Sequence, residues 1–249
     1  MQEQQRRWPA FLPSVFTGLN MACGFASIMV SIQGDFYRGS MFLMLGILFD
    51  LVDGRVARWT GTESTFGEQF DSMSDVVSFG VAPAILYYHR FLTDLNRPGM
   101  VLAFFFMLCG AMRLARFNAN IDKISSDHFQ GLPIPLGAMA LVGLTLLSLA
   151  HPEVLTIKPL LISYIVFYAV LMISNIPFPS FKHSPLIKKY RGQVLLLVFA
   201  IFALILLFDE YMVLAIVSLY VISAIIYFLT HRQQFKDIFS GDDNDEVIH

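Results

Sequence analysis

Apolar residues in this chain fall into long, nearly unbroken runs rather than into the alternating or one-sided patterns of soluble strands and helices. Eight such runs are legible, at residues 11–32, 39–57, 72–92, 98–117, 133–150, 159–175, 193–208 and 211–230. At roughly 16 to 22 residues they are close to the length a helix needs to cross a hydrocarbon core of about 30 Å. The breaks carry turn residues: Gly-Asp at 34, Asn-Arg-Pro at 96, His-Pro at 151 and a Pro-rich stretch from Asn175 to Pro185. The pattern predicts an all-α fold, a polytopic membrane helix bundle of about eight transmembrane helices.

Composition agrees with lipid as the solvent. Hydrophobic residues make up 56% of the chain, charged residues 14%, and the mean hydropathy is +0.62. Cys23 and Cys109 lie in separate apolar runs, which points to core packing rather than to a disulfide or a thiolate metal site. A net charge of −2, with no interleaved basic and aromatic residues, argues against nucleic acid as a partner. The polar segment Met1 to Trp8 precedes a long run with no small-residue cleavage site, so the first run reads as a retained span rather than a signal peptide.

The cations orient the bundle, because cytoplasmic loops hold an excess of Lys and Arg. With the N-terminus inside, Arg6, Arg7, Arg55, Arg58, Arg113, Arg116, Lys123, Lys182, Lys188, Lys189, Arg191, Arg232 and Lys236 are internal, 13 of the 17. Arg38, Arg90, Arg97 and Lys158 are then external. Both termini are expected inside, with a solvated acidic tail from Asp237 to Glu246. Lys182, Lys188, Lys189 and Arg191 read as a membrane-surface cluster near anionic headgroups.

The candidate chemistry is concentrated between residues 50 and 75. Asp50, Asp53, Gly54, Ala57 and Arg58 follow helical spacing on one face, and Gly67, Asp71 and Asp75 do the same on the next helix. A carboxylate at the centre of a membrane helix costs about 2.5–3.5 kcal/mol on insertion scales, so four together need a shared reason. Helix capping or ion pairing, for example Asp53 with Arg58, would serve for one Asp but leaves the doubled Asp50/Asp53 and Asp71/Asp75 unexplained. Two converging acidic faces suit hard divalent cations, Mg²⁺ or Mn²⁺, and a pair of ions about 3.5–4 Å apart would clamp a diphosphate for in-line displacement. Gly54, Ala57 and Gly67 either let a nucleotide approach the backbone or serve plain helix packing.

These residues, D-x2-D-G-x2-A-R-x8-G-x3-D-x3-D, match at every fixed position the signature of the CDP-alcohol phosphotransferases, which this chain resembles. The resemblance implies that Asp50, Asp53 and Asp71 bind metal, that Asp75 joins the metal site and acts as general base, and that Gly54, Ala57, Arg58 and Gly67 line the CDP pocket. Leu12 to Asn20, Ser78 to Pro83, Arg113 to Asn118 and Gly131 to Pro135 are similar to segments of the integral-membrane phosphatidylserine synthases. The implied organisation is a cytoplasmic segment 1–10, a catalytic core 11–150, further helices of the same bundle at 151–232 and a cytoplasmic tail 233–249.

The implied reaction transfers a phosphatidyl group from CDP-diacylglycerol to L-serine at the cytoplasmic face of the inner membrane. Serine is a zwitterion, so its site needs a cation for the carboxylate and acceptors for the ammonium. Arg113 and Arg116, one turn apart, are candidates for the first; the alternative is that they mark a cytoplasmic helix end. Asn118 either orients the acceptor or caps its helix, Gly131 to Pro135 either shapes a pocket wall or begins the fifth span, and His128 reads as a solvated loop residue. Competing readings are another alcohol (choline, glycerol 3-phosphate or an inositol phosphate) and, in a different class, a cation transporter. Expected partners are CDP-diacylglycerol, L-serine and membrane lipids, with a homodimer left open.

Overall fold

A computed structural model describes residues 7–60, 64–119, 128–153, 157–179 and 209–230, with side chains except at 7–12, 57–60, 128–129, 177, 179 and 209–210. The expected span at 193–208, the cluster Lys182, Lys188, Lys189 and Arg191, Arg6, Lys123, Arg232, Lys236 and the acidic tail lie outside the described residues. So do the side chains of Arg7, Ala57, Arg58 and His128.

Helix α1 (Arg7–Ile32) and helix α2 (Phe36–Thr60) form an antiparallel hairpin. The turn is set by Gly34, whose φ of 87° is open to glycine without strain. Two backbone bonds close it, Asp35 N–H to Val30 O and Gly34 N–H to Ser31 O, both 3.0 Å. This is the bond pair of a Schellman stop. Asp35 then caps the next helix by accepting from the Arg38 N–H at 3.1 Å.

Ser64 caps helix α3 (Thr65–Asp75) by accepting the Gly67 N–H at 3.1 Å. From there the chain stays helical to Leu95, but not uniformly α. A π-helical segment, Val76–Val81, adjoins Asp75 directly; then come α4 (Ala82–Tyr87), a second π segment (Tyr88–Leu92) and a 3₁₀ turn (Thr93–Leu95). The expected third span therefore begins earlier than residue 72 and is wound with an extra residue per turn in two places.

Helix α5 (Arg97–Ala119) returns, and after it come strand β1 (His128–Gln130), α6 (Ile134–Ala150), α7 (Lys158–Ile173), strand β2 (Pro177–Pro179) and α8 (Asp209–Thr230). The two strands pair antiparallel with Phe129 opposite Phe178, and Gly131, at φ 74°, donates its N–H to Ile176 O at 3.0 Å.

The described residues thus hold seven helical spans, and the architecture is an all-α membrane bundle. Pro13–Ile32, Arg97–Ala119 and Tyr211–Thr230 are long and apolar enough to cross a bilayer, and Ile134–Ala150 and Lys158–Ile173 are shorter apolar helices. Phe25, Phe104, Ile222 and Leu219 stand on the outside, while Phe79, Phe91, Phe106 and Ile134 fill the interior. α6 packs on α8, and α5 packs on α7.

In lipid there is little hydrophobic force between helices, so close packing and internal polar bonds hold the bundle. At the end opposite the acidic residues, Arg90 donates to Ser148 Oγ (2.9 Å) and to Ser148 O (2.7 Å), closing the last turn of α6, with its guanidinium 5.4 Å from the Phe36 ring centroid. Lys158 donates to Phe91 O at 3.0 Å and pairs with Asp94 at 2.7 Å. On the acidic side α1 approaches the first π segment at Gly24, where a Cβ would sit 2.7 Å from the Ser78 Cα.

Gly24→Val is therefore expected to force the two helices apart and to destabilise the protein by about 1–3 kcal/mol, the usual range for overpacking. Gly18→Val, at a position where a Cβ meets nothing within 4 Å, is the control and should leave the melting temperature in detergent unchanged. Equal melting temperatures for both variants would refute the close approach.

Candidate active site

The hairpin and the cap together set the site. α2 carries Asp50 and Asp53 toward its C-terminal end, and α3 runs back alongside with Asp71 and Asp75, so the two acidic faces meet. One carboxylate oxygen from each of Asp50, Asp53 and Asp71 lies within 4.8 Å of the other two. Asp75 is within hydrogen-bond reach of Asp50 and in the field of Asp71 and Asp53. All four signature carboxylates are thus brought together, and none makes an ion pair with a basic side chain among the described residues.

Two unit charges about 4 Å apart repel by roughly 4 kcal/mol at an effective dielectric of about 20. The cluster is therefore built for a cation that the side chains around it do not supply. Its donor set is all oxygen, and the inner oxygens Asp71 Oδ1 and Asp75 Oδ1 are buried with no hydrogen-bond partner among the described residues. Those are the features a hard divalent ion requires, so the residues fit a metal site.

The supports come from α1. Thr17, 4% exposed, shares its hydroxyl between Asp53 Oδ2 (2.9 Å) and Pro13 O (3.1 Å), and its carbonyl accepts from Ser74 Oγ at 3.1 Å. Thr17 thereby fixes Asp53 and ties α1 to the turn that carries Asp75. Composition and spacing did not single out Thr17, although it lies inside the Leu12 to Asn20 segment.

Of the residues expected at the nucleotide, Gly54 is exposed and a Cβ there would meet nothing within 4 Å, so packing does not explain this glycine. Gly67 is the third residue of α3, and a Cβ on it would meet only the Oγ of its own cap, Ser64, at 3.2 Å.

The two arginines offered as candidates for the acceptor carboxylate have different surroundings in the structure. Arg113 is 7% exposed, stacks at 5.4 Å on the Phe117 ring and lies in the field of Asp75, with Arg116 and Tyr220 as further electrostatic neighbours. Arg116 instead donates to Asn175 Oδ1 (2.9 Å) and to Ile173 O (2.7 Å), so it holds the C-terminal end of α7. The sequence spacing allows both on one face; it does not show that a carbonyl at a helix end waits for one of them.

Asn118 donates to Ser72 Oγ, on the residue after Asp71, at 2.9 Å. There it borders a cavity of about 530 Å³ lined by Met21, Phe70, Met73, Val76 and Leu114, not the acidic cluster. Tyr220 of α8, stacked at 5.8 Å on Phe178 of β2, had no signal in the sequence, because a lone Tyr in an apolar run looks like packing.

Residues 10–176 match the CDP-alcohol phosphatidyltransferase family, which covers the whole acidic constellation. The chain belongs to this family. It is 38% identical over 176 residues (70% of this chain, 74% of the other) to CDP-diacylglycerol--serine O-phosphatidyltransferase of Helicobacter pylori. The identity is 40% over 187 residues (74% and 77%) to the protein of that name in Methanocaldococcus jannaschii, and 35% over 173 residues (69% and 92%) to that of Bacillus subtilis. Among solved structures, phosphatidylinositol phosphate synthase of Mycobacterium tuberculosis with CDP-DAG bound matches with a TM-score of 0.48 and 20% identity, over 65% of this chain and 82% of that one.

For a member of this phosphatidyltransferase family the acidic cluster carries a direct expectation. Asp53→Asn and Asp71→Asn each weaken Mn²⁺ binding by about tenfold or more, while Ser72→Ala leaves it unchanged, as measured by electron paramagnetic resonance titration of detergent-purified protein. Unaltered Mn²⁺ affinity in both Asn variants would remove the metal assignment.

Proposed function

We propose that this membrane enzyme transfers the phosphatidyl group from CDP-diacylglycerol to the hydroxyl of L-serine, giving phosphatidylserine and CMP. The observation that carries the reading is an all-carboxylate cluster, Asp50, Asp53 and Asp71 within 4.8 Å, with a buried arginine, Arg113, in the field of Asp75. The names of the relatives support serine as the acceptor.

Asp50, Asp53 and Asp71, joined by Asp75, would hold two hard divalent cations, Mg²⁺ or Mn²⁺. Bound there, the metal supplies positive charge to the diphosphate and to the departing phosphate oxygen. Everything else falls to the side chains. The CDP moiety lies toward Gly54, where the α2 backbone is open to close approach, and Ala57, Arg58 and Gly67 complete that end. Asp75 accepts the serine hydroxyl proton as the serine oxygen bonds to the phosphorus bearing diacylglycerol and the bond to the CMP oxygen breaks. Thr17 keeps Asp53 oriented through the exchange.

Arg113 reads the serine carboxylate from its buried position near Asp75. Arg116 positions rather than binds, through Asn175 and Ile173. We place the acidic end of the bundle on the cytoplasmic side, where Arg55, Arg113 and Arg116 gather, and treat residues 11–150 as the catalytic core.

Exhaustive chelation is expected to stop CMP release, and Mg²⁺ or Mn²⁺ to restore it without zinc; full activity in protein shown by metal analysis to be metal-free would overturn the mechanism. Arg113→Ala should raise the serine KM by about tenfold or more and abolish discrimination between serine and serine methyl ester, because truncating the partner of a buried charge costs about 2–5 kcal/mol. Arg116→Ala should lower the melting temperature but keep that discrimination. Loss of discrimination in Arg116→Ala alone would reverse the two roles. A panel of serine, choline, glycerol 3-phosphate and inositol phosphate tests the acceptor itself, and CMP release with any of the others but not with serine would refute it.

A further inference from the structure

Asn20 is fully buried on α1, and both atoms of its side-chain amide lack a hydrogen-bond partner among the described residues. Thr17 and Ser27, one and two turns away on the same face of α1, are satisfied, Thr17 donating to Asp53 and Ser27 to Gly39 O at 2.8 Å, whereas the Ser31 hydroxyl beyond them shares the condition of Asn20 but lies far from the acidic cluster. A buried amide with no partner inside a membrane bundle is costly, and a leucine there would avoid the cost, so the amide needs a reason.

Its place is well defined. Asn20 Oδ1 lies 3.0 Å from where a Cβ on Gly46 would be, and Gly46 is one turn before Asp50 on α2. The Asn20 backbone carbonyl accepts from Ser78 Oγ at 2.9 Å, and Ser78 is one turn beyond Asp75, inside the first π segment. The amide thus sits beside Gly46, about one helical turn from the level of Asp50 and Asp75, at the end of the acidic site farther from Gly54 and Gly67.

In-line displacement gives that end its chemistry. The attacking oxygen enters opposite the leaving group. Under the reading above, CMP departs toward Gly54 and Gly67, so the acceptor alcohol enters at the deep end, where Asp75 and Arg113 are. With its hydroxyl on Asp75 and its carboxylate on Arg113, serine still needs an oxygen for its ammonium group. A further carboxylate would add charge to the cluster and compete for metal; a neutral amide oxygen would not.

We propose that Asn20 is a specificity-determining residue for the acceptor, its side-chain oxygen receiving the ammonium group of serine. This rests on the serine-transfer reading.

The test uses the full chain in mixed micelles with CDP-diacylglycerol, comparing wild type, Asn20→Ala and Asn20→Asp. The probes are serine, serine methyl ester, which keeps the ammonium, and 3-hydroxypropionate, which lacks it, the last two as competitors. In Asn20→Ala the serine KM and the inhibition constant of the methyl ester should both rise by about tenfold or more, while that of 3-hydroxypropionate and the KM for CDP-diacylglycerol stay within about threefold. Asn20→Asp, nearly isosteric, should widen the preference for serine over 3-hydroxypropionate. A uniform loss for all three compounds in Asn20→Ala, with the preference unchanged, would make Asn20 a packing or water-binding residue and overturn the proposal. Should Asn20→Ala not insert, Asn20→Asp decides alone: a widened preference supports the proposal, an unchanged or narrowed one refutes it. Failure of the wild type to use serine at all would instead refute the parent reading.

Discussion

Charge repulsion among carboxylates in a poorly polarisable surrounding is the constraint on which the rest of this structure depends. Asp50, Asp53 and Asp71 crowd within 4.8 Å, with Asp75 against them, and no basic side chain pairs with any of the four among the described residues. Such a cluster would push its two helices apart unless something else held them. α1 does so. It packs along the length of α2 and reaches the other acidic helix through Thr17, Asn20 and Gly24. The fold clamps the acidic faces together from behind, and no ion pair among the described residues offsets the negative charge at their meeting point, which could hold a metal ion.

The π segment after Asp75 belongs to the same clamp. An added residue in the turn rotates the helix beyond it, so that Ser74 and Ser78, four apart across the junction, both donate to α1 carbonyls. The close approach at Gly24 is made to Ser78, within this widened turn. Asp75 is therefore held between two serine anchors, which fixes a candidate base without any bond to its inner oxygen. On the far side, α5 carries Arg113, seated on the Phe117 ring and in the field of Asp75, and α8 adds Tyr220 to the electrostatic neighbours of Arg113. The C-terminal helices thus do more than fill the bilayer.

Much of this was legible from residue order. Lipid-length apolar runs at 11–32 and 98–117 became α1 and α5 within a few residues, because a membrane span is read from length and apolarity alone. The four aspartates were legible because charge in such runs has few innocent explanations, and helical spacing puts each pair on one face. What stayed hidden depends on long-range contacts. The π segments leave no compositional mark between Val76 and Leu92. Gly54 and Gly24 look alike in sequence, yet one faces open space and the other a neighbouring backbone. Arg113 and Arg116 differ because the end of α7 arrives beside only one of them. The span at 193–208 lies outside the described residues.

The two ends of the site are built for different kinds of selectivity. At the end proposed for the nucleotide the surface is exposed backbone at Gly54 and a half-buried Gly67, a setting suited to recognising shape and phosphate charge while rejecting little. At the end proposed for the acceptor the groups are buried: Arg113 at 7% exposure, Asp75 at 9%, Asn20 at zero. There a wrong alcohol leaves desolvated charge or an amide without its partner, and sites of that kind discriminate far more strongly than apolar pockets do. Every member of such a family must bind the same donor nucleotide, whereas the alcohol distinguishes one member from another. Acceptor identity should therefore be written where polar groups are most deeply buried, on the inner faces of α1 and α5, rather than in the shared acidic signature.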